Sequence, residues 1–140
     1  ILFSHINSEP HLGKTAICTI DDPTLVHGVN LLLLRPIDGI DSGYLNIALR
    51  ELRAAGYFVS IAQRAVNQAS INQKNLGKTP IPIPPLAEQR RIVAKVEQLM
   101  ALVDALEAQL AASRATAEKL LTALVAELTN GKEAHATAEV

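Results

Sequence analysis

At 140 residues the chain is long enough for one ordinary domain and too short for two. Hydrophobic residues make up 49% and charged residues 19%, which supplies a core and excludes a wholly disordered polymer. Thirteen Lys and Arg against fourteen Asp and Glu leave a formal net charge of -1, which argues against a protein wrapped in a uniformly basic field.

The chain opens in what reads as mid-strand, Ile1-Leu2-Phe3, and is therefore expected to be a piece of something longer. A polar loop follows at Ser4-His5-Ile6-Asn7-Ser8, and a strand is expected from Gly13-Lys14 through 15–20, stopped by Asp21-Asp22-Pro23. Residues 26–34 are apolar and β-prone, closed by Arg35-Pro36 and Asp38-Gly39. Ser42 is the expected N-cap of a helix over 43–55 that carries Leu45, Leu49 and Leu52 on one face and ends at Gly56. A short strand is expected over 57–61, and a polar, amide-rich loop over 62–79. Ile81-Pro82-Ile83-Pro84-Pro85 must be extended, because each proline disfavours the helical region for the residue before it. Residues 1–84 thus read as a small α+β domain with a mostly antiparallel, curled sheet and one short helix.

The composition then changes abruptly. Residues 86–129 contain no Gly, Pro or aromatic residue and are rich in Ala, Leu, Glu, Gln and Lys. Apolar positions step by four and three through Ile92, Val96, Leu99, Val103, Leu106 and Leu110, and resume at Leu120 and Leu124. Ser113 and Ala117 sit mid-seam, where small side chains admit close approach of a second helix. A single coiled-coil-type helix is expected over 85–129, with Pro85 in its first turn and Asn130-Gly131 as its stop. Residues 130–140 are expected to form a disordered tail. Such a rod is about 65 Å long at 1.5 Å per residue, too long to bury its seam on an 84-residue domain. It calls for a partner helix.

Few residues suit catalysis. His5, His11, His27 and His135 are not paired at helical spacing, and no metal site is expected. The single cysteine, Cys18, excludes an intrachain disulfide and a cysteine zinc cluster and suits a reducing, cytoplasmic setting. No nucleophile elbow or phosphate loop is present, and no apolar run approaches the roughly 20 residues of a membrane span. Nothing at the start reads as a secretory leader. No catalytic residue is expected.

Binding chemistry is better represented. No acidic residue falls between Glu51 and Glu88, and residues 50–91 hold seven Lys and Arg against two Asp and Glu. Asn and Gln match the edge of adenine, and Arg and Lys match guanine or phosphate, in the major groove of duplex DNA. Arg64, Asn67, Gln68, Asn72, Gln73 and Lys74 therefore form one candidate DNA-contacting group; Ser4, His5, Asn7, His11 and Lys14 on the first loop form another. The plainer alternative is a polar surface loop whose amides cap turns. An aromatic content of 3% disfavours a single-strand stacking platform.

The run Ile81-Pro82-Ile83-Pro84-Pro85-Leu86-Ala87-Glu88-Gln89-Arg90-Arg91-Ile92-Val93 resembles the junction between a target-recognition domain and its spacer helix in the specificity subunit of type I restriction–modification systems. Gln68, Ile71-Asn72 and Leu76 before it, Tyr44-Leu45, and the opening through Gly13-Lys14 are similar to that family as well. The chain departs from the family pattern at Ala65-Val66, where a glycine is usual, and it covers only the C-terminal part of one recognition domain and one helix. The resemblance implies a non-catalytic subunit in which each recognition domain reads one half of a split double-stranded DNA target. Paired spacer helices would set the distance between half-sites and present a surface to the methyltransferase (modification) subunits and, through the complex, to the restriction subunit. The second spacer helix would come in cis or in trans. S-adenosylmethionine, ATP and Mg would belong to partner subunits, with no cofactor and no membrane for this chain. The alternative is a coiled-coil protein–protein adaptor that does not read DNA.

Overall fold

The computed structural model describes residues 1–20, 22 and 24–136, and side chains through 127. The chain forms two compact units, Ile1–Lys95 and the segment from Val96 onward. The first is an α+β unit. Its strands are β1 (Leu2–Ser4), β2 (Ile6–Asn7), β3 (Thr15–Ala16), β4 (Leu31–Leu33), β5 (Gln63–Ala65) and β6 (Gln68–Ser70). Its helices are α1 (Ser42–Ala54), α2 (Tyr57–Ser60), α3 (Gln73–Leu76) and the start of α4 (Leu86–Ala136), with a 3-10 turn at Glu9–His11.

Two small antiparallel sheets result, ordered β3-β1-β4 and β2-β6-β5. They share the continuous stretch β1–His5–β2, so residues 2–7 build both. Phe3 and Phe58 are fully buried with rings edge to face, 5.0 Å between centroids. Leu12, Leu49, Ala69 and Ile71 close around them. Gly13 has a φ of 72°, and a Cβ placed there would lie 2.6 Å from Cδ2 of Phe58, so only glycine lets the loop pass over the ring.

The differences from the expected elements have local causes. The N-cap of α1 is Asp41, whose carboxylate accepts the N–H of Tyr44 at 3.0 Å; Ser42 is already helical. Residues 57–60 form a helical turn instead of a strand, because Gly56 at φ 77° reverses the chain and directs Phe58 into the core. The expected strands at 15–20 and 26–34 shrink to Thr15–Ala16 and Leu31–Leu33. The expected loop 62–79 contains a hairpin, β5–β6, and the short helix α3. The hairpin turns on Val66-Asn67, with Asn67 at φ 61°, a left-handed conformation that asparagine tolerates better than most residues.

In α4 the backbone carries on through Asn130-Gly131 to Ala136, since one glycine in a helix interior costs only about 1 kcal/mol. The rest of the expected tail, 137–140, lies outside the described residues. Within the second unit the seam positions Leu99, Val103, Leu106, Leu110, Leu120 and Leu124 are 42–61% exposed.

The first turns of α4 belong to the first unit. Gln89 is completely buried. Its Oε1 accepts the N–H of Asp41 at 2.8 Å, while Nε2 donates to the carbonyls of Gly39 and Pro84 at 2.9 and 2.8 Å. Tyr44 adds a bond from its hydroxyl to the Pro82 carbonyl at 2.7 Å. Gly43 has no side chain where Val93 of α4 packs. Replacing Gln89 by leucine would remove the partner of three partly buried backbone hydrogen bonds and place an apolar side chain among them. A loss of stability on the order of 3 kcal/mol is expected, read as a lower urea midpoint.

Candidate nucleic-acid interface

The first-loop candidates separate into bound and free groups. Ser4 is 6% exposed, and its hydroxyl accepts from Nδ2 of Asn7, whose Oδ1 in turn accepts the N–H of Ser8. Both polar side chains are thus used inside the loop. His5 bridges two backbone carbonyls, Nδ1 at 3.1 Å from Ile71 and Nε2 at 3.2 Å from Val29. A neutral ring donates to one carbonyl only; the imidazolium donates to both. His11 and Lys14 are exposed. The loop is braced from behind by Arg53, whose guanidinium donates to the carbonyls of Pro10 and Leu12.

The second group is more open. Arg64 is 65% exposed on its side chain but ion-paired to Glu9 at 2.6 Å, a link between β5 and the first loop. Asn72 caps α3, its Oδ1 accepting the N–H of Asn75 at 2.8 Å. Asn67, Gln68, Gln73 and Lys74 are exposed. The structure therefore brings Asn7, Arg64 and Gln68 into one sheet, β2-β6-β5, and places Gln73 and Lys74 on the helix that follows it.

Strand register reveals two residues that composition did not single out. Ser70 stands opposite Gln63 on one side and Ile6 on the other, and Gln68 stands opposite Ala65. Ala69, between them, is 1% exposed and faces the core. Because strand side chains alternate, Gln63, Gln68 and Ser70 share the opposite, outward face. Only the pairing could show this, since a run of Gln, Arg, Ala and Ser has no apolar alternation to read.

Elsewhere, Thr24 donates its hydroxyl and N–H to Asp22 and holds that carboxyl below the usual carboxylate range. The Arg91 guanidinium donates to Glu88 at 2.8 Å and is raised by that bond and the adjacent charge. Neither group lies among the candidate residues. A concavity of about 390 Å³ between β4, α1 and α3 is walled mainly by leucines and has no titratable group in its lining. Among the described residues no three His, Cys, Asp or Glu side chains gather to hold a metal, and no helix is long and apolar enough to cross a membrane.

Comparison with known proteins identifies relatives of the chain. Residues 5–113 match the family described as the type I restriction modification DNA specificity domain. A putative type I restriction enzyme MjaX specificity subunit from Methanocaldococcus jannaschii is 47% identical over 111 residues, 79% of this chain and 26% of that protein. The type I restriction enzyme EcoDI specificity subunit from Escherichia coli is 32% identical over 133 residues, 94% of this chain and 28% of that protein. The EcoEI specificity subunit from Escherichia coli is 31% identical over 88 residues, 62% of this chain and 15% of that protein. The chain thus spans roughly a quarter of the length of the first two relatives. No solved structure matches it.

The His5 bridge makes a local test possible. His5→Ala removes the side-chain donor to Val29, so limited proteolysis should cut the exposed segment 25–29 faster than in the parent protein. Equal cutting rates would show that the bridge does not hold this segment.

Proposed function

The chain belongs to the type I restriction modification DNA specificity domain family, and we propose that it serves as a non-catalytic DNA-reading part of a specificity subunit. The observation that carries this reading is the match over residues 5–113, which takes in the polar sheet, the acid-poor window and the first half of the seam together. Exposed Lys14, Lys74 and Lys78 supply phosphate contacts that position the unit on duplex DNA, and exposed amides supply sequence preference. The net charge of -1 is no obstacle, because the phosphate backbone responds to the local excess over 50–91.

The seam of α4 has a second task in this reading. Six exposed apolar positions from Leu99 to Leu124, with Ile92 and Val96 at the head of the series, are at heptad spacing for a second spacer helix. That helix comes from the same subunit or from another copy. The pair sets the distance between two half-sites of a bipartite target and offers a docking surface to the methyltransferase and restriction subunits. S-adenosylmethionine, ATP and Mg act on those partners, in the cytoplasm, where the free Cys18 thiol is kept reduced.

Two experiments test the two halves. Duplex binding should weaken steeply with salt, and the double variant Gln73→Ala, Lys74→Ala should weaken it further while flattening the salt slope by about 0.9. Unchanged affinity and slope would remove α3 from the interface. In the second, Leu106→Asp places a charge in the seam and should abolish helix pairing, read by sedimentation of the assembled subunit. Retained assembly would overturn the seam.

A further inference from the structure

We infer that Arg64 is not a DNA ligand but the neutraliser of Glu9, and that this pair makes the loop over residues 8–14 a contact surface for the phosphate backbone of duplex DNA. The inference rests on the DNA-reading role proposed above and assigns the charge at one edge of that surface.

The loop is preformed. His11 and Leu12 donate their N–H groups to the Ser8 carbonyl at 2.9 and 3.1 Å, and the N–H of Gly13 reaches the Ser4 carbonyl at 2.8 Å. From behind, the Arg53 guanidinium donates to the Pro10 and Leu12 carbonyls at 2.6 and 3.1 Å. Leu12 and Gly13 are buried, which anchors the loop on the core beside Phe58. None of these bonds involves Arg64. The shape of the loop is therefore set without the Arg64–Glu9 pair, and what the pair changes is charge.

The outward side of the loop holds donors suited to phosphate: the Ser8 hydroxyl, the His11 ring and the Lys14 ammonium, all on exposed residues. Glu9 is the one acidic residue between Ile1 and Ile20. Unpaired, it would cancel the charge of Lys14 and set a carboxylate beside any phosphate that Lys14 and His11 approach. Its Oε1 lies instead 2.6 Å from Nε of Arg64, the two side chains being 47% and 65% exposed. A pair that open to water contributes little to stability. Its effect on the field over the loop is larger, because an anion feels charge within a Debye length, about 10 Å at 0.1 M salt. The loop thus keeps one net positive charge, on Lys14, when the pair is formed.

The test is a charge cycle on the full chain, reading affinity for a mixed-sequence duplex by fluorescence anisotropy across a salt series. Arg64→Ala leaves Glu9 bare and should weaken binding about three- to tenfold at low salt, the difference fading as salt rises. Adding Glu9→Gln to Arg64→Ala removes the bare acid and should return the affinity to that of the parent chain. Neither a misfolded variant nor a lost DNA contact can produce that recovery. Lys14→Ala should flatten the salt slope by about 0.9, the share of one phosphate. An Arg64→Ala variant that binds as the parent does, or a double variant that remains weak, would overturn the role of Arg64 and leave the DNA-reading role standing. An unchanged slope in Lys14→Ala would take the loop off the DNA, with the same consequence. Failure of the parent chain to bind any duplex would overturn both.

Discussion

One carboxamide closes the first unit. Gln89 is buried to the last atom of its side chain and joins two stretches far apart in sequence: the loop that runs from Gly39 into the cap of α1 at Asp41, and the proline run at Pro84. Proline explains why this task falls to a side chain. In Ile81-Pro82-Ile83-Pro84-Pro85 three residues have no N–H to offer a ladder, and their carbonyls must find donors elsewhere. Tyr44 serves Pro82 and Gln89 serves Pro84. The same amide returns an acceptor to Asp41, so the cap that starts α1 and the turn that starts α4 are stabilised together. An amide suits this position because it both donates and accepts, where a carboxylate or an ammonium does one only.

How far the fold could be read from the sequence follows from how each element is held. The seam of α4 is legible because a long run without Pro or Gly lets the apolar period show undisturbed. Helix α1 is legible for the same reason at smaller scale, although its cap sits one residue earlier than expected, where Asp41 and Ser42 are both capable cap residues. Residues 57–60 were not legible: four residues of mainly apolar character fit a strand or a helical turn equally, and the left-handed Gly56 decides between them. The hairpin was hidden differently. Its one buried side chain is Ala69, too small to mark an apolar face, so the strands are defined by backbone pairing that sequence does not display.

The candidate surface divides along a similar line. The amide-rich window and the acid-free interval show which residue types have chemistry suited to a groove. They do not show which residues are at liberty to use it. Ser4, Asn7 and Asn72 are committed to neighbours only a few residues away, and His5 to carbonyls at Ile71 and Val29. Those commitments depend on turns and strand crossings. Ser4 and Asn7 show the general hazard: the residue types that read bases also cap turns, and composition counts both uses alike.

The alternation of β6 has a consequence for how such a unit changes over time. Ala69 and Ile71 face the core, while Gln68 and Ser70 face away from it. Stability and surface chemistry are therefore written on alternating codons of one short strand. Substitutions at 68 or 70 alter the outer surface without disturbing Phe3, Phe58 or their neighbours. Position 70 can therefore take new surface chemistry while folding stays insulated from the change, and Gln68, a residue of the family pattern, is set by something other than the core.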